Sequence, residues 1–314
     1  MILLASKINK YICRNIAILM ATYNGERYIR EQIDSLLNQS YKDWTLFIHD
    51  DGSTDNTVEI ISKYEKSYPN KIVVVDAPST GGAKYNFMFL LSVVDAPYIM
   101  FCDQDDVWLE DKIKKTYDRM LSLDRDIPAL VYTELKVVNN ELKELSSSLS
   151  EFNHFSHSRN CINYLLLENI VTGCTIMIND KLAVLCRKYS DNSKIVMHDW
   201  WFALIAAKFG VISFVDDSLI LYRQHSFNTI AAQRFGIKYF LKRIIHIKDV
   251  ANSIRRSRKQ AEYMSESFSL ADSDIVSVYG SLDKKNKIKR LFFYIKNQVC
   301  FFSFIKNVAL FIIG

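Results

Sequence analysis

Four times within its first 121 residues this chain repeats one pattern: a short apolar run, a polar motif, then apolar residues at helical spacing. IAILMA (16–21) is a continuous apolar run of the kind a strand shows when both its faces are covered, and TYNGE (22–26) follows with turn and helix-start chemistry. In the next segment Ile29, Ile33, Leu36 and Leu37 fall at i, i+4, i+7 and i+8, on one side of a helix. WTLFIH (44–49), the loop DDGSTD (50–55), and Val58, Ile61 and Tyr64 repeat the unit. KIVVV (71–75), Gly81-Gly82, and Tyr85, Met88 and Phe89 form a third; YIMFC (98–102), DQDD (103–106) and a helix over 109–121 form a fourth. Successive strand-helix units predict an α/β fold with a mostly parallel central sheet flanked by helices.

Further along, the pattern predicts a strand over 130–138, a mobile loop over 141–158, a helix over 162–168 and a strand over VTGCTIMIN (171–179). A helix over HDWWFALIAAKF, ended by a glycine cap at Gly210, and the strands VISFV (211–215) and LILYR (219–223) complete a domain over 15–230. Residues 231–314 read as a helical, basic extension. Residues 232–314 hold 16 Lys and Arg against 6 Asp and Glu, whereas the rest of the chain holds 24 against 29. An acidic body with a basic, aromatic tail fits a catalytic domain attached to a membrane surface; a nucleic-acid binder would surround its recognition element with positive charge. Lys296 and Lys306 interrupt the final run LFFYIKNQVCFFSFIKNVALFIIG, which favours a helix lying in the membrane interface over a span; packing on the protein's own core is the alternative. The six cysteines form no CxxC pair and read as reduced thiols, and the first fifteen residues lack the pattern of a secretory signal. The expected location is therefore the cytoplasm, peripheral at the inner face of the cell membrane.

Ligands of a parallel sheet gather beyond the carboxyl ends of its strands, and TYNGE, DDGSTD, TGGAK (80–84) and DQDD all fall there. Carboxylates clustered after buried strands need counter-ions or hydrogen bonds, and they suit a hard divalent cation bridging two phosphates. Taken singly, DDGSTD also fits a turn with capping residues, and DQDD the acidic first turn of a helix.

In order and spacing, ATYNGERYI, IHDDGSTDNT, FCDQDDVW, VTGCT, MHDWW and LYRQH resemble the inverting glycosyltransferases of family 2 over roughly residues 15–230. The resemblance implies the GT-A nucleotide-sugar fold and Mn2+ or Mg2+ as cofactor. Within the family, DQDDVW, MHDWW and YRQH are most similar to bacterial rhamnosyltransferases of cell-wall rhamnan, capsule or O-antigen assembly. That likeness implies dTDP-L-rhamnose as donor, with a UDP-hexose or UDP-N-acetylhexosamine as the alternative, and a lipid-linked oligosaccharide as acceptor.

The family's roles carry over by resemblance. Thr22, Tyr23, Asn24 and Glu26 would line the nucleotide pocket, one carboxylate of Asp50 and Asp51 would accept the imide N–H of the base, and Lys84 would approach the base or diphosphate. Asp103 and Asp105 match the DxD pair with Gln104 between them: Asp103 near ribose and metal, Asp105 on the metal, and Asp106 also fitting a helix cap. His225 matches a histidine set against the metal or diphosphate, although a lone histidine after a strand also fits a structural role. Thr172, Gly173 and Cys174 match the loop where acceptor meets donor sugar; Trp200 and Trp201 suit either stacking on an acceptor ring or core packing. Asp199 matches the catalytic base that an acceptor hydroxyl needs before it can attack.

Two other classes would use some of these features. A nucleotidyltransferase would carry a glycine- and Lys/Arg-rich triphosphate loop near the first strand, where this chain has TYNGE. A non-catalytic scaffold would have no use for four acidic or polar motifs in one chain. A processive synthase is disfavoured because no QxxRW follows MHDWW.

Overall fold

The computed structural model of the protein describes residues 10–191, 193–224 and 247–313. Its strands are β1 (Tyr11–Ile12), β2 (Ile16–Thr22), β3 (Trp44–Asp50), β4 (Ile72–Val74), β5 (Val94–Asp95), β6 (Tyr98–Cys102), β7 (Val107–Trp108), β8 (Ala129–Val138), β9 (Glu144–Ser146), β10 (Met177–Asn179) and β11 (Val211–Arg223). The helices of the first part are α1 (Ile29–Leu37), α2 (Thr57–Ser67), α3 (Ala83–Val93), α4 (Lys112–Leu121), α5 (Leu149–Asn153), α6 (Ile162–Leu165), α7 (Asp180–Lys188) and α8 (His198–Phe209). After them come α9 (Ile247–Ser267), α10 (Ile275–Gly280), α11 (Lys287–Lys296) and α12 (Phe304–Ile313).

The central sheet runs β4-β3-β2-β6-β10-β8-β11-β7, with β9 beside β8. The first four strands pair in parallel, as successive strand-helix units require. β10 lies antiparallel to both β6 and β8, so the sheet is mixed. Every residue of IAILM is buried, and the period of two divides them between layers. Ala17 and Leu19 join one core with Ile99 and Phe101, while Ile16, Ile18 and Met20 join the other with Met100 and Cys102. Helix α8 is buried around its whole circumference from His198 to Ala206, which explains why its sequence shows no polar face.

Several expectations are corrected. VTGCTIMIN is a strand only over Met177–Asn179; Gly173–Thr175 form a single 3-10 turn that faces α8. VISFV and LILYR are one continuous strand, β11, with irregular register near Val215 and Ser218. Gly210 does end α8, but with φ −158 it is extended and not a left-handed cap. Glycine is required there because a Cβ would lie 1.7 Å from the carbonyl oxygen of Pro128.

The segment expected to be a mobile loop, 141–158, carries β9 and α5 and is fastened to a buried carboxylate. Glu134 accepts from the Leu149 N–H (3.1 Å), the Ser150 hydroxyl (2.5 Å) and His157 Nε2 (3.0 Å), and His157 stacks on Phe214 at 3.7 Å between ring centroids. Burial works against the Glu134 charge, but the hydrogen bonds from His157, Ser150 and the Leu135 N–H outweigh it and hold its pKa below the usual carboxylate value.

The expected single C-terminal helix is two, α11 and α12, broken over Asn297–Ser303, where Gln298 has φ 53. One face of the pair packs on the protein's own core and the other is exposed. Phe293, Tyr294, Val299, Phe301 and Leu310 join the same core as α8, together with Ile254, Ala261 and Met264 of α9. Ile288, Phe292 and Ile295 on α11 and Phe304, Val308, Phe311 and Ile312 on α12 are exposed, Phe304 at 81%. Among the described residues no helix is long and apolar enough to cross a membrane.

Candidate active site

The polar motifs meet because their strands end together: Thr22 lies opposite Asp50 on β3, and Met20 opposite Cys102 on β6. The first two loops are zipped by side chains. Thr22 Oγ1 donates to Asp50 Oδ2 (2.8 Å), and Asp50 Oδ1 accepts the N–H groups of Gly52 (3.1 Å) and Ser53 (2.7 Å). Asn24, in the left-handed region at φ 47, accepts the Thr54 N–H on Oδ1 (2.8 Å), and Glu26 Oε2 accepts the Asn56 N–H (3.0 Å).

Asp51 gathers the third loop. Its Oδ1 accepts the Ser79 hydroxyl (2.9 Å), the Gly81 N–H (3.1 Å) and the Thr80 N–H, and Oδ2 accepts the Gly82 N–H (2.5 Å). Gly81 and Gly82 reach around the carboxylate with φ 89 and 129, a path that side chains with a Cβ rarely take. Burial pushes the Asp51 pKa up, but the Thr80 and Gly81 N–H groups outweigh it and leave the pKa low. The Asp50 and Asp51 carboxylates are thus both engaged inside the loops, where sequence reading offered one of them to a nucleotide base.

Gln104 joins the fourth loop to the first. Its Oε1 accepts the Tyr23 N–H (2.9 Å) and its Nε2 donates to the Tyr23 carbonyl (2.9 Å), leaving the Tyr23 ring exposed at 56%. Gln104 therefore positions the loop expected to line the nucleotide pocket.

Beyond β6 lies the acidic centre. Ligand atoms of Asp103, Asp106 and Cys174 all fall within 4.8 Å of one another. Asp106 is not a helix cap: α4 starts at Lys112 after Asp111, and the Asp106 carboxyl is buried beneath the loop. Its Oδ1 accepts the Arg223 N–H (3.0 Å), and its buried Oδ2 has no partner among the described residues. Burial, then the charge of Asp105 and then that of Asp199, raise the Asp103 pKa to about 7; burial, then Asp105 and Asp103, push Asp106 up strongly. Neighbouring carboxyls, Asp103 half-buried and Asp106 buried with an unpartnered oxygen, fit a hard divalent cation, which would relieve their repulsion. Cys174 is a soft donor whose buried thiol holds its proton, so the carboxyl oxygens suit such a cation better. Asp105 stands half-buried beside them. His225 lies outside the described residues.

Asp199 faces this centre from the first turn of α8, close enough for its charge to raise the Asp103 pKa. Burial raises the Asp199 pKa to about 7, against hydrogen bonds from the Trp200 and Gly173 N–H groups. A carboxylate poised near neutral pH has the proton affinity a general base needs. Gly173 belongs here for want of space: a Cβ would lie 3.1 Å from His198 Nε2 and 3.7 Å from Asp199 Cβ. Thr172 holds the turn by accepting the Thr175 N–H (3.0 Å) and hydroxyl (2.6 Å) on its carbonyl.

Other candidates are placed elsewhere. Trp200 is buried with its indole N–H on the Leu165 carbonyl (2.6 Å), and Trp201 likewise on the Tyr189 carbonyl (2.9 Å); both are core residues with no ring face free for a sugar. Lys84 Nζ donates to the Ile195 carbonyl (2.9 Å), on the segment leading into α8.

Three supporting residues escaped sequence reading. Buried Arg223 donates to the carbonyls of Asp105 (2.9 Å) and Asn140 (2.6 Å) and pairs with Glu31 (2.6 Å), tying β11 to the acidic loop. Lys112, whose pKa burial lowers to about 7, donates to the Thr175 carbonyl (2.9 Å) beneath Cys174. His198 is buried among Phe87, Phe101 and Phe202, and burial lowers its pKa to about 3, so it is neutral. The available signal for Lys112 was its place among Ile113, Thr116 and Met120 on the buried face of α4.

A mixed sheet in this order, with an acidic cluster facing a carboxylate on a buried helix, defines the GT-A class of glycosyltransferases. The same fold occurs in a mannosyltransferase from Pyrobaculum calidifontis solved with GDP-Man and Mn2+, at 14% identity and TM-score 0.52 over 90% of this chain and 73% of that one. It recurs in S. aureus TarS, at 18% identity and TM-score 0.51 over 95% and 54%. Residues 17–184 match the model of glycosyl transferase family 2, and the chain belongs to that family. It is 33% identical over 232 residues to the dTDP-rhamnosyl transferase RfbG of Shigella flexneri, covering 70% of this chain and 76% of the relative. It is also 26% identical over 166 residues to WfgD of Escherichia coli, a UDP-Glc:alpha-D-GlcNAc-diphosphoundecaprenol beta-1,3-glucosyltransferase, covering 53% of this chain and 60% of that protein.

Proposed function

We propose that this family 2 glycosyltransferase moves L-rhamnose from dTDP-L-rhamnose, with inversion, to a hydroxyl of a lipid-linked glycan during bacterial surface-polysaccharide synthesis. The observation that carries the reaction is Asp199, a buried carboxylate poised near neutral pH beside Asp103 and held by the Gly173 N–H. Asp199 takes the acceptor hydroxyl's proton as its oxygen attacks the anomeric carbon, and the bond to the nucleoside diphosphate breaks in the same displacement, so configuration inverts. Asp103 with Asp105 or Asp106 would hold Mn2+ or Mg2+, which when bound supplies positive charge to the leaving diphosphate. The loops organised by Asp50, Asp51 and Gln104 receive the nucleotide, and the Thr172–Cys174 turn admits the acceptor.

Similarity to the Shigella flexneri enzyme supports the rhamnosyl donor; similarity to the Escherichia coli glucosyltransferase supports a UDP-hexose as the second reading and a diphosphate-linked lipid as acceptor. The exposed apolar residues of α11 and α12, with Lys285, Lys287, Lys289 and Lys296 beside them, support attachment to an anionic membrane surface at the cytoplasmic face. The test is release of nucleoside diphosphate from a panel of dTDP-, UDP- and GDP-sugars with Mn2+ or Mg2+. Turnover of dTDP-rhamnose that EDTA abolishes is expected. Preferential turnover of a UDP-sugar would overturn the donor and keep the mechanism.

A further inference from the structure

Outside the acidic centre, a cleft of about 490 Å³ opens between α9 and the segment that leads into α8. Lys84, Lys194, Arg256, Lys259 and Tyr263 line it. Arg256, Lys259 and Tyr263 are spaced i, i+3 and i+7 along α9, so one helical face presents them together. The cleft also has Glu262 and Glu266 in its wall, but Glu262 is paired with Lys284 (2.9 Å). Among the described residues no salt bridge joins a carboxylate to Arg256 or Lys259, whereas Lys194 lies over the Tyr263 ring (5.0 Å) and, after the Ser193 hydrogen bonds, its charge helps to lower the Asp191 pKa. Arg256 and Lys259, cations without a salt-bridge partner and one of them a guanidinium with its two-pronged donor geometry, suit a phosphate or diphosphate.

The cleft is mechanically continuous with the catalytic base. Val196 N–H donates to Gln260 Oε1 of α9 (2.7 Å), and Lys84 is anchored on the Ile195 carbonyl (2.9 Å). Val196 precedes Asp199 by three residues, so their Cα atoms are at most about 11 Å apart. The wall of the cleft and Asp199 are thus joined by one short segment that α9 holds through Gln260. The cleft's α9 wall and the 193–196 segment both lie outside residues 17–184, the part shared with the family model, whereas the donor loops lie inside it. Helix α9 also packs through Arg258 against Tyr294 of α11, the helix with an exposed apolar face.

We propose that this cleft is the acceptor's diphosphate subsite, binding the diphosphate that joins the glycan to its lipid, an inference that rests on the lipid-linked acceptor proposed above. Its cations read the anion, and the 193–196 segment couples its α9 wall to the start of α8. Arg256→Ala combined with Lys259→Ala removes two exposed cations without touching the donor loops.

Two measurements on the full-length protein decide it. With the donor site saturated by nucleoside diphosphate, calorimetric titration with inorganic pyrophosphate should show a further anion bound by the wild type, and at least about a tenfold weaker Kd in the double variant. In transfer assays the variant's KM for a diphosphate-linked acceptor should rise about tenfold, with its KM for the same glycan on an uncharged alkyl chain, its donor KM and its donor hydrolysis unchanged. Absence of a second pyrophosphate, or equal binding by the variant, overturns the subsite. A rise in donor KM assigns the cleft to the donor's diphosphate and equally overturns it. If the wild type binds the second pyrophosphate at Arg256 and Lys259 yet transfers only to acceptors without a lipid diphosphate, the anion site stands as chemistry and its assignment to the acceptor falls with the acceptor reading.

Discussion

Replacing Gly173 with alanine tests how the Thr172–Cys174 turn and Asp199, the proposed base, are held together. The added Cβ would lie 3.1 Å from His198 Nε2 and 3.6 Å from Cε1, so one partner must move by a few tenths of an ångström. The His198 ring cannot retreat easily, because Phe87, Phe101 and Phe202 surround it at centroid distances of 4.5, 5.9 and 5.8 Å. The turn must therefore give, carrying away the Gly173 N–H that donates to Asp199. Overpacking of a tight site costs about 1–3 kcal/mol. Since misplacement by about 1 Å costs about a hundredfold in rate, a few tenths should lower kcat about 4- to 10-fold. Steady-state kinetics and thermal melts of Gly173→Ala, His198→Ala and the double variant separate the effects. Removing the ring should restore much of the lost kcat in the Gly173→Ala background while lowering Tm through the cavity it leaves. Wild-type kcat and Tm in Gly173→Ala, or strictly additive losses in the double variant, would refute the crowding argument.

Asp199→Asn should lower turnover about 10²- to 10⁴-fold while nucleotide affinity stays unchanged by titration; near-normal turnover would sink the base assignment. Glu134→Gln should destabilise the protein by about 2–3 kcal/mol at pH 7, because one amide cannot accept all the donors that the carboxylate now serves. The folded pKa of Glu134 lies below its unfolded value, so this stability is present above that unfolded value, about 4.3, and is lost as pH falls through the folded one. The Tm gap between wild type and variant should accordingly narrow as pH drops below about 4.3, and a gap independent of pH would contradict the linkage. Phe292→Glu with Ile295→Glu should abolish co-sedimentation with anionic vesicles and shift Tm by only about 1–2 °C, since both side chains are exposed; unchanged sedimentation would remove the membrane role.

The amino-acid sequence alone determined the repeated strand-helix units and, through its ordered motifs, the family. These signals are local: an apolar run such as IAILM must be covered on both faces, and polar residues directly after it must lie at the strand's end. Sequence order could not say that β10 enters the sheet antiparallel, since apolar runs buried on both faces look alike in either direction. Nor could it separate Trp200, a sugar-stacking candidate, from Trp200, a core residue bonded to Leu165. Tertiary structure decided which partner each polar group meets. Gln104 clasps Tyr23 across 81 positions, Arg223 reaches Glu31 across 192, and the 141–158 segment is ordered by Glu134, a residue outside it. Hydrogen bonds and carboxylate repulsion act over a few ångströms, and residues this distant in sequence come within that range only when the sheet aligns the ends of its strands.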